Sequence, residues 1–137
     1  MERIKVSRSF FADEFVYPGG DFAEVDPKLV IIAQWIRDTI GMPVTINNYA
    51  TGGQYKESGL RDINTKTGAK KSAHKEGKAI DIKVKGMTAK EVYGWCLAHS
   101  TELYALGVRE IENNLHTPTW THLGTRGGWS SIKIINP

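Results

Sequence analysis

The segment "KAIDIKVKG", residues 78–86, alternates strictly: Ile80, Ile82 and Val84 fall on one side of an extended chain, Asp81, Lys83 and Lys85 on the other. A strand of this kind lays one face on a core and leaves the other for polar work. It is preceded by a long polar tract, residues 51 to 78, "TGGQYKESGLRDINTKTGAKKSAHKEGK". A loop of that length inside a compact domain is usually functional or disordered. Because it runs directly into an ordered strand, function is the expectation.

The remaining elements arrange themselves around that strand. "VDPKLVIIAQWIRDTIGMP" predicts a helix: Asp26 caps it, Pro27 suits its first position, and Leu29, Ile32, Ile36 and Ile40 make one apolar stripe. Gly41 and Pro43 end it. "PVTINNYA" predicts a short strand on β-branched Val44, Thr45 and Ile46. "TAKEVYGWCLAH" predicts a second helix, opened by a Thr88–Glu91 capping box, with Val92, Trp95 and Cys96 facing inward. "GVREIEN", "TWTHLGT" and "SIKIINP" predict three closing strands. The order is helix, strand, long loop, strand, helix, then strands. That is an α+β domain: a small antiparallel sheet with flanking helices and a long loop. The 137 residues suit one domain, residues 1–137, and the 40% hydrophobic content is enough to build its core.

Several function classes recede on composition. No apolar run approaches the ~18 residues of a membrane span, so no membrane insertion is expected. The N-terminal "MERIKVSRSFFADEF" lacks the apolar core of a signal peptide, which points to cytoplasmic synthesis. Cys96 is the single cysteine, which rules out an internal disulfide and Cys-rich zinc motifs. The net charge of +3 is a mild bias toward an anionic polymer, cell wall or nucleic acid. Its densest patch, Lys66, Lys70, Lys71, Lys75 and Lys78, reads as a solvated loop. With no helix-turn-helix, zinc finger or RNA-binding aromatic motif, nucleic acid is not an expected partner.

The chemistry concentrates around Asp81. His74 precedes it by seven residues, and Gly77 lets the chain turn back between them. His122 lies in the predicted strand "TWTHLG", with Trp120 on its face. Two histidines and one carboxylate form a ligand set for catalytic zinc with one position left for water, a set suited to amide hydrolysis. A lone histidine is more often an ordinary core or surface residue, so the set alone is weak evidence.

"SAHKEGKAIDI" resembles the S-x-H-x-x-G-x-A-x-D motif of the M15 zinc peptidases, the D-Ala-D-Ala carboxypeptidase and L-Ala-D-Glu endopeptidase group. "SRSFFADEFV" resembles the start of that domain, "ESGLRD" its S-G-x-R segment and "TWTHLGTR" its closing W-x-H element. The long polar loop is most similar to that of phage-encoded members. The resemblance implies an M15/hedgehog-like fold with the loop over a zinc site held by His74, Asp81 and His122. It implies that Arg61 binds a carboxylate of a peptidoglycan stem peptide, for which a guanidinium fork is well shaped. Ser72 either hydrogen-bonds the substrate or caps the loop.

Two positions depart from the pattern. Many members carry an acid two or three residues before the last histidine, where this chain has Trp120 and Thr119. Many also carry H-x-D, where this chain has Leu123 and Gly124 after His122. Losing that aspartate would remove a partner that steadies a ligand. The general base must then come from "REIENNLH", which offers Glu110, Glu112 and His116. Glu112 is the expected base, since "REIE" matches an R-x-x-E segment of some relatives. Whether it faces His122 depends on strand register. The expectation is a zinc peptidase acting on peptidoglycan peptides, of the phage-lysin kind, reaching the wall through a holin or from a virion. The alternative is a non-catalytic relative that binds wall peptides or serves as a phage structural protein.

Overall fold

A computed structural model describes residues 2–136. Among them run helix α1 (Pro27–Ile40), strands β1 (Val44–Thr45) and β2 (Ala79–Val84), helices α2 (Ala89–Ala98) and α3 (Ser100–Leu106), then strands β3 (Glu110–Glu112), β4 (Thr121–Gly124) and β5 (Lys133–Ile135). The strands form one sheet in the order β1-β2-β4-β3-β5. The architecture is α+β, as the sequence predicts.

The sheet is mixed. β1–β2, β2–β4 and β3–β4 pair antiparallel, while β5 lies parallel to β3 at the far edge. After β4 the chain turns through residues 125–132 and crosses back to that edge, so β5 runs the same way as β3. This departs from a purely antiparallel sheet without disturbing the central β2–β4–β3 trio.

The helices form where capping and apolar spacing coincide. The Asp26 carboxylate accepts from Lys28 N at 3.0 Å, and Gly41 closes α1 in the left-handed conformation. Leu29, Ile32 and Ile36 are fully buried, with Ile40 half-buried at the end of the stripe. At α2, the Thr88 hydroxyl accepts from Glu91 N while the Glu91 carboxylate accepts from Thr88 N, the reciprocal box read from the sequence. α3 was not expected. It follows α2 through His99, and with Leu103 its only fully buried residue it is too short to show a helical period.

β1 is shorter than "PVTINNYA" predicts. Ile46 is buried, but Asn47 leaves the ladder to serve as a clasp. Its side chain donates to Val16 O at 2.8 Å and accepts from Ser58 N at 2.8 Å, tying the N-terminal segment to the long loop. That loop is held again where Leu60 N donates to Phe15 O and Tyr17 N donates to Leu60 O. The core lies on one face of the sheet: Ile80, Ile82, Ile111 and Leu123 pack against α2 and against α1 with its aromatic neighbours Phe10 and Phe15. The charged residues of the same strands, with His122, face the other way, while Thr121 stays on the core side and donates to Ala89 O.

Candidate metal centre

The β2–β4 register sets Asp81 directly opposite His122. Both side chains leave the sheet on the face away from the core, yet both are buried, because the long loop folds over them. His74 arrives from that loop. The return turn needs Gly77, whose φ is +71° and whose position would put a Cβ 1.9 Å from Glu24 O. Arg61 N donates to His74 O and Asp81 N donates to Ser58 O, so two segments of the loop are fastened beside the cluster.

Three donor atoms converge. His74 Nε2 lies 3.1 Å from His122 Nδ1, and these lie 3.2 and 3.1 Å from Asp81 Oδ1. Ligands at ~2.0–2.1 Å from a tetrahedral metal ion stand about 3.3 Å apart, so the triangle already has close to the required edge. The outer nitrogens are also provided for. His74 Nδ1 sits 3.0 Å from Gly59 O, to which it donates, leaving Nε2 as the inward lone pair. His122 turns the opposite nitrogen inward and sets Nε2 3.7 Å from Glu110 Oε1. The Gly59 carbonyl fixes the orientation and tautomer of His74, and the Glu110 carboxylate stands behind His122 as a charge partner just beyond hydrogen-bond distance, the kind of support metal-ligating histidines need. The residues present therefore fit a metal ion with two nitrogen donors and one oxygen donor.

The electrostatics agree. Burial works to raise the Asp81 carboxyl, but the imidazoles of His74 and His122 outweigh it and hold Asp81 well below the usual carboxylate range. Burial works to lower His122, but Asp81 and Glu110, with Glu112 behind them, push it up to about 9. This is a site organised around positive charge, part of it supplied by the His122 proton when no cation is there.

The other residues singled out in the sequence fall in different places. Glu112 Oε1 lies 3.8 Å from His122 Nδ1, on the inward side of the ring, while Glu110 is on the outward side. The register question is answered by Glu110 pairing with Gly124 and Ile111 with Leu123, which turns both glutamates toward His122. His116 is exposed and stays outside the cluster. Arg61 is half-buried, its Nη2 3.3 Å from Asp81 Oδ2 and its Nε donating to Glu57 O at 2.7 Å. Ser72 Oγ accepts from His74 N at 3.2 Å. Thr119 and Trp120 line a cleft beside the centre. Of the basic patch, Lys66, Lys70, Lys71 and Lys78 are exposed and Lys75 is half-buried.

Sequence reasoning did not single out Gly59 or Lys83, and read Gly124 only as the place of a missing aspartate. Gly59 must lack a side chain, since a Cβ there would sit 2.3 Å from Phe15 O. At Gly124 a Cβ would lie 2.5 Å from Glu110 Oε1, so the Glu110 carboxylate occupies the space of a residue-124 side chain. The aspartate missing from H-x-D is thus answered by a carboxylate from the adjacent strand. Burial pushes the Lys83 ammonium down to about 8, with Asp81 pulling the other way. The sequence signal was there for Lys83, two residues from Asp81 on the same face.

Fold and donor set together define the class: an α+β domain with a buried two-histidine, one-carboxylate cluster able to hold a metal ion. The chain belongs to the peptidase M15 family, whose model matches residues 12–118. That span includes Arg61, Ser72, His74, Asp81, Glu110 and Glu112 and ends before His122, whose place in the cluster rests on the β2–β4 register. Searches of curated proteins and of solved structures return no match.

Proposed function

We propose that this chain is a zinc-dependent peptidase hydrolysing peptide bonds in peptidoglycan stem peptides, of the phage-lysin type. The observation that carries the reading is the 3.1–3.2 Å donor triangle with Glu112 3.8 Å from its His122 corner. His74, Asp81 and His122 would hold the ion. The chemistry a bound zinc ion supplies is a water that ionises near neutral pH and a polarised carbonyl.

The chain's own groups divide the remaining work. Glu112, inward of His122, takes a proton as the water oxygen bonds to the carbonyl carbon, and returns it to the nitrogen as the C–N bond breaks. Glu110, outward of His122, holds the ring with Nδ1 facing the cluster and takes no part in proton transfer. Arg61 lines both clefts around Asp81 and is the proposed partner of a stem-peptide carboxylate. Ser72 accepts from His74 N and keeps its own proton to donate to the substrate. The site of action is the cell wall, reached by holin-type release or from a virion. The motif resemblance supports both the peptidoglycan substrate and this setting.

The test is incubation of zinc-loaded protein with purified peptidoglycan, reading released fragments by mass spectrometry against a chelated control. Zinc-dependent fragments are expected, and their masses identify the bond. Intact peptidoglycan from several wall types, with zinc still bound, would move the reading to a non-catalytic wall-peptide-binding or phage structural relative.

A further inference from the structure

We propose that Lys83 forms a carboxylate-binding subsite beside the metal centre, taking a free carboxylate of the peptide substrate. The nature of that substrate rests on the peptidase reading above; the subsite itself rests on the surroundings of Lys83. Lys83 projects from β2 on the same face as Asp81, into the wall of a cleft of about 350 Å³ bounded also by Tyr55, Ser58, Arg61, Asp81 and Trp120. Its Nζ donates to Ile46 O and to Ser58 Oγ, both at 3.0 Å, and lies 3.9 Å from the centre of the Tyr55 ring. Among the described residues it makes no ion pair, whereas Arg61 spends part of its charge on Asp81.

That arrangement is costly for a resting protein. An ammonium has three donors, and two here go to neutral acceptors. A partly buried cation that is ion-paired with neither Asp81 nor Glu57, the two carboxylates on the cleft wall, loses hydration that carbonyl, hydroxyl and ring face only partly replace. Bracing Ile46 to Ser58 requires a donor but no charge, so a neutral amide would brace as well. The charge is accounted for when an anion enters the cleft, and a carboxylate is the anion a peptide carries.

Position strengthens the assignment. A second cleft, of about 470 Å³, contains His74, Glu112 and His122 and shares Arg61, Asp81 and Trp120 with the first. Lys83 borders only the first cleft and Glu112 only the second. A peptide lying across both would place its scissile bond over the shared residues and a carboxylate in the Lys83 cleft. Tyr55 and Trp120 would flank the backbone leading to it.

The experiment titrates N-acetyl-D-alanine and its primary amide into the zinc-loaded protein, following Lys83 side-chain resonances by NMR, with Lys83→Gln and Lys83→Met alongside. Wild type should bind the acid about tenfold or more tightly than the amide, with the Lys83 resonances shifting for the acid. Both variants should lower that ratio several-fold, with Arg61 keeping a share of it. Equal binding of acid and amide by wild type, no shift at Lys83, or a preference undiminished in Lys83→Gln would overturn the subsite. Should Lys83→Met not fold, the wild-type shift and Lys83→Gln still decide. Cleavage of a stem peptide is scored separately. A peptide left uncut while the Lys83-dependent preference stands supports the subsite and counts against the peptidase reading; a peptide cut with no such preference does the reverse.

Discussion

The two faces of the β2–β4–β3 sheet are built from the same few residues and do opposite jobs. Ile80, Ile82, Ile111 and Leu123 present an apolar surface to the helices and have no exposed area. Asp81, His122, Glu110, Glu112 and Lys83, interleaved with them, present charge on the other side. The apolar face supplies stability by leaving water. The polar face brings together carboxylates and desolvated charges, balanced in the metal-free protein by the His122 proton and by Arg61, so that little net stability comes from it. What the contrast teaches is that the apolar face holds the strands in register, and the register places Asp81 across from His122. Substitutions on one face should therefore change folding, and on the other chemistry.

The largest effect should come from His74→Ala. It removes a corner of the triangle, and metal binding should be lost while the far-ultraviolet circular dichroism and melting of the metal-free protein change little. Zinc stoichiometry by elemental analysis after dialysis checks it, and undiminished zinc would remove His74 from the ligand set. Next is Glu112→Gln, which keeps the shape of the residue and cannot take a proton. Turnover should fall about 10²–10⁴-fold with zinc retained. If turnover survives, the base is another group, with Glu110 the nearest candidate.

On the other face, Ile82→Ala should cost about 2–5 kcal/mol in denaturant unfolding, because a fully buried side chain is cut back in a packed core. The zinc-loaded variant should keep its metal stoichiometry. A variant of normal stability that loses the metal would show that the two faces are not separable.

Much of this contrast was legible in "KAIDIKVKG" itself, because period-two alternation assigns residues to faces without knowledge of the partners. The helix caps at Asp26 and Thr88 were legible for a similar reason, being local chemistry. His74 and Gly77 could be placed because a left-handed turn constrains the chain on its own. What was not legible depends on pairings distant in sequence. The parallel β5, the clasp by Asn47, and the entry of Glu110 into the space beside Gly124 all require knowing which strand lies next to which. The missing aspartate after His122 looked like a weakness in the sequence, since a one-dimensional pattern cannot show a neighbouring strand filling the gap.

Glu110 supplies a further comparison, this time within the polar face. Glu110→Gln leaves Glu112 in place and keeps a side chain over Gly124, but removes the negative charge behind His122 Nε2. Zinc affinity, measured by competition with a chromophoric chelator, should weaken about 10–100-fold. The loss should be in metal binding, with kcat of the fully loaded enzyme changed much less than in Glu112→Gln.

The smallest and most informative change is with pH. His122 is held protonated up to about 9 by Asp81, Glu110 and Glu112 in the metal-free protein. Below that pH zinc must displace a proton from Nδ1, so affinity should fall as pH falls, about tenfold for each unit from this single proton. In Glu110→Gln one of the groups that raises His122 is gone, so the onset of this fall should move to lower pH. The sign follows from linkage: weaker proton binding to the free site leaves less to displace. Two curves of zinc affinity against pH, wild type and Glu110→Gln, should converge toward low pH if Glu110 favours the proton and the metal through the same ring. Curves that remain parallel would mean that Glu110 steadies His122 mechanically and contributes no charge, which makes the polar face, at this position, another piece of packing.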